Sequence, residues 1–439
     1  MAPAISISVV IPVHNSAGYL RRCLEALGAS SVVPADTIVV DDGSTDNSGD
    51  VAREFGATVL TTGRQSGPAR ARNLGVEVAR GEIILFVDAD VCVRPDTVGR
   101  VQRAFAEDLE MDAVFGSYDD APASPDFISQ YRNLMHAFVH QTARREAGTF
   151  WTGCGAIRKA VFEQVGGFDD SFKSIMDIEL GYRLKRAGRR IILDRNIQVT
   201  HLKRWTFWSM VKTDVFKRGI RWTELILRDR RMPNDLNVSA GQRVSLLLVL
   251  FVGLAAVFGT TLWGLAFALP GLALLLTLLS RYWGEQTARG KGWAAVWASV
   301  TVIGMSLLAW AAGLGMLAVP LVASLLLMVL AHRLARGLPE WLLAAPVAGA
   351  LAAAATAWLR LPVAGRWTIL GIVAAHLALL ALNARFYRFL WSRRGLLFVL
   401  AAFPFHLLYY CYSGFAFVAG CFRHLWTANT GGSGAPRDA

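Results

Sequence analysis

Residues 83–93 read IILFVDADVCV. Five apolar residues run straight into two aspartates, Asp88 and Asp90, and then the apolar chain resumes. A run that short, bounded by polar residues, reads as a buried strand. Its end is unusual, because a buried strand gains nothing from carboxylates unless charge is needed there. Asp88 and Asp90 are two apart, so in extended chain they point the same way. Both can face a hard divalent cation, directly or through water. Mg²⁺ typically takes one or two protein carboxylates and completes its shell with substrate phosphates. Such an ion neutralises a diphosphate leaving group. The alternative is that the two aspartates only cap a turn.

Upstream, residues 5–12, ISISVVIP, form a β-branched run short enough for a buried strand. Leu20, Cys23, Leu24 and Leu27 have helical spacing over 17–27. A second strand is expected at 37–40, a helix at 51–55, a short strand at 57–60, and a helix at 67–78 opened by Pro68. Strands alternating with helices in this way predict an α/β domain with a parallel sheet. Ligands of such sheets sit beyond the carboxyl ends of the strands. There the first strand ends in Pro12, Val13, His14 and Asn15. The second ends in Asp41, Asp42, Gly43 and Ser44, and the fourth in Asp88 and Asp90. A carboxylate at Asp41 or Asp42 can accept a ring N–H from a nucleobase or bind ribose hydroxyls; the same residues could form only a turn and a helix cap. The helix opened by Gly67 and Pro68 favours anions at its N-terminus. Arg70 and Arg72 do not share a helix face. Arg72 is the candidate phosphate contact and Arg70 the solvated one.

ISVVIPVHN, VVDDGSTD, GPARARNLG and FVDAD occur in that order. Over residues 5–205 the chain resembles the family 2 glycosyltransferases of GT-A fold, Rossmann-like nucleotide-diphospho-sugar transferases. The resemblance implies a UDP- or GDP-sugar donor, Mg²⁺ or Mn²⁺, and inversion at the anomeric carbon. It implies that the donor is held by Pro12, His14, Asn15, Asp41, Asp42, Arg72, Asp88 and Gly153. Gly153 lies in the glycine-rich stretch 150–156, FWTGCGA, which in the family lines the donor-sugar and acceptor pocket. Asp90 and His201 are the expected metal ligands, although a lone histidine is more often structural. An inverting transfer needs one base to take the acceptor proton. The family often has a Glu-Asp pair at this place, whose Asp is the base. Asp177 stands there, with Met176 where the Glu would be, a departure from the pattern, and Glu179 is a competing base. His136 and His140, four apart on an expected helix over 133–141, have zinc-compatible spacing but no third ligand; they read as helix-surface or acceptor-side residues.

The second half of the chain has a different composition. The 439 residues are 54% hydrophobic, and the excess lies after about residue 243. Nearly uncharged runs at 244–280, 293–331, 341–359, 367–382 and 396–421 are long enough for about seven membrane spans. The loops 281–291, 332–336 and 385–394 are basic, which places them and the transferase domain on the cytoplasmic side. Residues 201–243 carry ten Lys/Arg against four Asp/Glu, half of the chain's net charge of +12. Such a block suits anionic lipid beside a membrane better than nucleic acid, for which no motif is present. Aromatic residues among basic ones at 205–223 and 386–391 suggest interfacial helices. Residues 1–12 lack a basic n-region, so the soluble part is expected in the cytosol. The five cysteines are scattered and read as reduced packing residues.

These readings divide the chain into a cytoplasmic transferase domain (1–200), a basic juxtamembrane segment (201–242), a transmembrane domain (243–423) and a flexible tail (424–439). They predict an integral protein of a bacterial inner membrane. Its expected activity is metal-dependent hexosyl transfer to a lipid acceptor, a polyprenyl phosphate or another membrane lipid. Two alternatives remain open. A processive polysaccharide synthase and exporter is disfavoured, because His201, Leu202, Lys203, Arg204 and Trp205 stand where such enzymes carry Gln-x-x-Arg-Trp. A non-catalytic membrane scaffold is left open by Met176.

Overall fold

A computed structural model of the chain describes residues 5–258 and 363–429. The described residues up to Arg243 and from Tyr412 onward form one compact unit, and those of 244–411 a second.

In the first unit, eight strands make one sheet. They are β1 (Ile7–Val13), β2 (Asp36–Asp41), β3 (Thr58–Thr61), β4 (Ile83–Val87), β5 (Val91–Val93), β6 (Ala113–Tyr118), β7 (Cys154–Arg158) and β8 (Ile191–His201). The order is β3-β2-β1-β4-β7-β6-β8-β5. β3, β2, β1 and β4 are parallel, as the alternation with α1 (Ala17–Gly28), α2 (Ser48–Glu54) and α3 (Pro68–Val78) predicts. The sheet as a whole is mixed, which corrects the expected parallel one. β7 runs antiparallel to β4 and β6, and β5 runs antiparallel to β8. The alternation of strand and helix stops at β4, which passes to β5 through Asp88, Ala89 and Asp90 alone, and β5 pairs with β8 at the far edge of the sheet.

Strands β1 and β4 carry the centre of the fold. All five residues of β4 are buried, so the strand is covered on both faces. One face packs α1 and α4 (Thr97–Glu107) through Leu20, Leu24, Val98 and Phe105. The other packs α3, α6 (Lys159–Gln164) and α7 (Met176–Arg186) through Ala71, Val76, Phe162 and Leu180. α3 sits hard against the sheet. A Cβ on Gly75 would lie 2.5 Å from Cγ1 of Val10, so only glycine allows this approach.

α5 (Phe127–Thr142) begins with an Asp126 carboxylate accepting from the Ser129 N–H, and it includes the expected helix over 133–141. After β8 come α8 (Phe207–Lys212), a π-helical stretch (Thr213–Gly219) and α9 (Ile220–Asp229). Over 205–223, Trp205, Met210, Val215 and Ile220 are buried, while Trp208 and Phe216 are 75% and 58% exposed.

Beyond them lie α10 (Ala240–Phe258), α11 (Val363–Leu382) and α12 (Ala384–Asn429), the last broken at Gly395, with Pro404 inside it. Among the described residues, one helix, Ala384–Thr427, is long and apolar enough to cross a membrane by length and composition. The spans expected at 293–331 and 341–359, most of 244–280, and the loops 281–291 and 332–336 lie outside the described residues. Residues 385–394, expected as a basic loop between spans with a helix at 386–391, are helical throughout; Phe386 and Leu390, four apart, are buried along one face. Residues 424–429, expected as flexible tail, continue the same helix.

Candidate active site

Parallel pairing of β2, β1 and β4 brings their carboxyl ends to one edge, as the strand-end motifs require. A cleft of about 700 Å³ opens there. Pro12, His14, Asp42, Arg72, Asp88, Asp90, Asp177 and His201 all line it. Asn15, Asp41 and Gly153 do not.

The reasons for those three are local. Asn15, at φ 48°, turns its side-chain oxygen onto the backbone of Thr45 and Asp46, at 2.7 and 3.3 Å. Asp41 accepts from the Ser44 N–H at 2.8 Å, closing its own turn. Gly153 lies under the Trp151 ring; a Cβ there would be 2.2 Å from Cζ2. Trp151 and Thr152 take the wall instead.

Asp42 is in the cleft but its carboxylate is committed. It accepts from the N–H groups of Ser66 and Gly67, each at 2.8 Å, and from the Thr62 hydroxyl at 2.9 Å. It therefore fastens the loop before α3 to the end of β2. His14 Nδ1 donates to the Asp42 carbonyl at 2.9 Å. Arg72 is 3% exposed and pairs with Asp88 at 2.5 Å, while its Nε has no partner. Arg70 is half exposed, near Glu77 and Asp170.

Register places the next pair. Val91 of β5 lies opposite His201 of β8, so Asp90 and His201 are brought side by side. The gap from Asp90 Oδ2 to His201 Nε2 is 3.5 Å. Nδ1 of the same ring donates to the Asn133 side-chain oxygen at 2.7 Å, which turns Nε2 toward Asp90. A carboxylate and an imidazole nitrogen across that distance can share either a proton or a cation, and a histidine whose far nitrogen is held by a second group is pre-oriented as a ligand. Among the described residues, no cluster of three or more His, Cys, Asp or Glu could hold a metal unaided. The two-residue donor set fits Mg²⁺ or Mn²⁺ whose remaining positions are filled by diphosphate and water. Burial raises the Asp90 carboxyl, but His201 and Lys203 outweigh it and hold it below the usual carboxylate value.

Asp177, on α7, lines the same cleft. The residue that caps the helix, Ile175, has a φ of 52°, rare for a β-branched side chain. Burial raises the Asp177 carboxyl above its ordinary value; Arg72 and Arg218 oppose that, and Asp88 adds to it. Glu179, the competing base, is 2% exposed and bound at both oxygens by Arg183, from 2.8 to 3.0 Å. It is a structural anchor. Met176 is buried against the core of the same face.

The lining is also aromatic and basic. Tyr118 ends β6, and its ring stacks on His201 at 4.4 Å and on His136 at 5.9 Å. His136 and His140 are cleft residues, which corrects the helix-surface reading. Burial lowers both imidazoles, His140 to about 4, so both stay neutral near pH 7. Arg218 donates to His136 Nε2 at 3.0 Å, and Lys203, Arg204 and Lys217 stand nearby on the lining. Tyr118 escaped the sequence reading. Recognising 113–118 as a strand would have placed it at a strand end.

Residues 8–166 match the family model described as Glycosyl transferase family 2. The chain thus carries a family 2 glycosyltransferase domain with the GT-A fold. It is 27% identical over 274 residues to Glycosyltransferase GlyG of Streptococcus pneumoniae, a match covering 58% of this chain and 88% of that one. It is 30% identical over 229 residues to Validoxylamine A glucosyltransferase of Streptomyces hygroscopicus subsp. limoneus, covering 43% of this chain and 50% of that one. A crystal structure of S. aureus TarS 1-349 in complex with UDP-GlcNAc superposes with a TM-score of 0.40 at 20% identity, covering 60% of this chain and 76% of that one.

Proposed function

We propose that this chain is a membrane-associated inverting glycosyltransferase that moves a sugar from a UDP- or GDP-sugar to a lipid acceptor bearing a phosphate. The observation that carries the reading is the gathering of Asp177 with Asp88, Asp90 and His201 on the lining of one cleft within a family 2 domain. His14, the loop fastened by Asp42, and Arg72 hold the nucleoside diphosphate. Arg72 already balances Asp88, and its unpartnered Nε leaves it a donor for the diphosphate. Asp90 and His201 would hold Mg²⁺ or Mn²⁺, which supplies positive charge to the departing diphosphate. The attacking group is a hydroxyl of the lipid acceptor: Asp177 takes its proton as the hydroxyl oxygen bonds to the anomeric carbon and the bond to the diphosphate breaks. Its raised proton affinity suits a general base working near neutral pH.

Three features support the lipid acceptor. Part of the cleft lining is basic, with Lys203, Arg204, Lys217 and Arg218. Exposed Trp208 and Phe216 alternate with Lys212 and Lys217 on the segment that builds this wall, a composition suited to a bilayer interface. Ala384–Thr427 is long and apolar enough to anchor the chain.

The test is nucleoside diphosphate release by the full chain with Mg²⁺ or Mn²⁺, a panel of UDP- and GDP-sugars, and phosphatidylinositol, a phosphate lipid with free hydroxyls, in vesicles. Release with one donor, dependent on the phosphate lipid, is expected. Equal release with the vesicles lacking that lipid would remove the acceptor assignment, and no release with any donor would remove the reading.

A further inference from the structure

The basic wall of the cleft rests on an element with an unusual geometry. Arg218 lies in the π-helical stretch Thr213–Gly219, and such stretches recur at functional sites. Two rungs join this stretch to α5. Asp214 pairs with Arg132, and Arg218, four residues on, pairs with His136, four residues on from Arg132. Both members of the first rung are buried, their side chains 3% and 6% exposed.

A third element closes on the first rung. Tyr412, in the distal part of α12, donates its hydroxyl to Asp214 Oδ2 at 2.8 Å. From there the helix stays against the same segment. A Cβ on Gly219 would lie 2.6 Å from that of Ala416, and a Cβ on Gly420 would lie 2.6 Å from that of Thr223. Arg423 Nε meets Glu224 at 2.9 Å. Residues 412, 416, 420 and 423 share one helix face. The contacts run along it in order, polar at both ends and tightly packed between.

We propose that this seam positions Arg218, and that Tyr412 is a positioning residue for the acceptor phosphate. Resting on the reading that the basic wall takes a phosphate, the inference adds how that wall is held. Tyr412 fixes one oxygen of Asp214 while Arg132 holds the other. The stretch is then pinned one turn before Arg218, and the guanidinium is directed to His136 and the cleft. A helix apolar enough to enter a membrane would thereby set the acceptor side of the site.

The test is a binding cycle on the full chain in detergent, with hexadecyl phosphate as probe and hexadecanol as its uncharged control. Wild type should prefer the phosphate. Tyr412→Phe, which removes only the hydroxyl, should weaken phosphate binding roughly five- to tenfold and leave UDP–Mn²⁺ or GDP–Mn²⁺ binding unchanged. In an Arg218→Ala background the same substitution should change phosphate binding no further, because Tyr412 acts through Arg218. Should Tyr412→Phe also lose nucleotide, Gly420→Ala, which pushes the seam apart without touching Tyr412, carries the test with the same expectation. Equal phosphate affinity in wild type and the seam variant, or an undiminished further loss in the Arg218→Ala background, would overturn the positioning role. A wild type that binds the alcohol as well as the phosphate would overturn the anionic-acceptor reading beneath it. Wild-type phosphate selectivity without sugar transfer would instead count against the reaction alone.

Discussion

Asp177→Asn separates a base from a merely polar cleft residue, because chemistry and stability should move in opposite directions. The amide keeps the shape of the carboxyl and removes its ability to take a proton. A positioned general base contributes typically 10²- to 10⁴-fold, so kcat should fall by about that factor while the donor KM stays near wild type. Stability should rise. Burial gives the folded carboxyl a higher proton affinity than the unfolded one. The stabilisation this brings is fully present below the unfolded value, about 3.9, and is lost as pH rises through the folded value. At neutral pH the wild type therefore carries a destabilising ionised group, each tenfold of raised affinity corresponding to about 1.4 kcal/mol. The amide relieves that cost, and a gain of 1 kcal/mol raises the melting temperature by roughly 2–4 °C in a unit of this size. Nucleoside diphosphate release across pH and thermal melting at pH 5 and pH 8 read both effects. The wild-type acid limb of kcat/KM should lie above the ordinary carboxylate range, and the melting gain of Asp177→Asn should be larger at the higher pH. An Asn variant with near-normal kcat, or one that melts lower at pH 8, would refute the assignment.

Two further outcomes test the donor side. Asp42→Ala removes the acceptor of two backbone N–H groups and a hydroxyl; at about 1–3 kcal/mol for each buried group left unpaired, the variant should melt several degrees lower and raise the donor KM, as melting and steady-state kinetics will show. Asp90→Ala should abolish the restoration of activity by Mg²⁺ or Mn²⁺ after chelation, with nucleotide binding measured calorimetrically becoming insensitive to the ion; retained restoration would count against Asp90 as a ligand.

Much of the first unit was legible because each signal was local. The β-branched run at Ile7–Val13, the helical spacing of Leu20, Cys23, Leu24 and Leu27, and Pro68 at a helix start each depend on neighbours in sequence. Strand order beyond β4 was not legible. The antiparallel placement of β7 between β4 and β6 is decided by pairing between segments far apart in the chain, and no periodicity within 154–158 encodes it.

The site shows the same division at the level of single residues. A motif reports which residue types gather at a strand end, but not which of them face the ligand. Asn15 and Asp41 belong to the gathering and spend their oxygens on the turns that form it. Asp177 and Glu179 were rivals in sequence because they are two apart in one helical turn. They differ chiefly through Arg183, which lies one turn beyond Glu179 and clasps it at both oxygens, with Arg228 3.7 Å away, leaving Asp177 as the one of the two on the cleft wall. A helix of ordinary spacing thus assigns the two roles. The residue with a cation four positions on becomes structure, and the one without becomes the candidate base. The same i, i+4 spacing separates Arg132 from His136 on α5 and Asp214 from Arg218 on the π-helical stretch, and the pairs form between the two, Arg132 with Asp214 and His136 with Arg218. There the partners lie on different elements, so the pattern acquires meaning only when the chain folds and the two ladders meet.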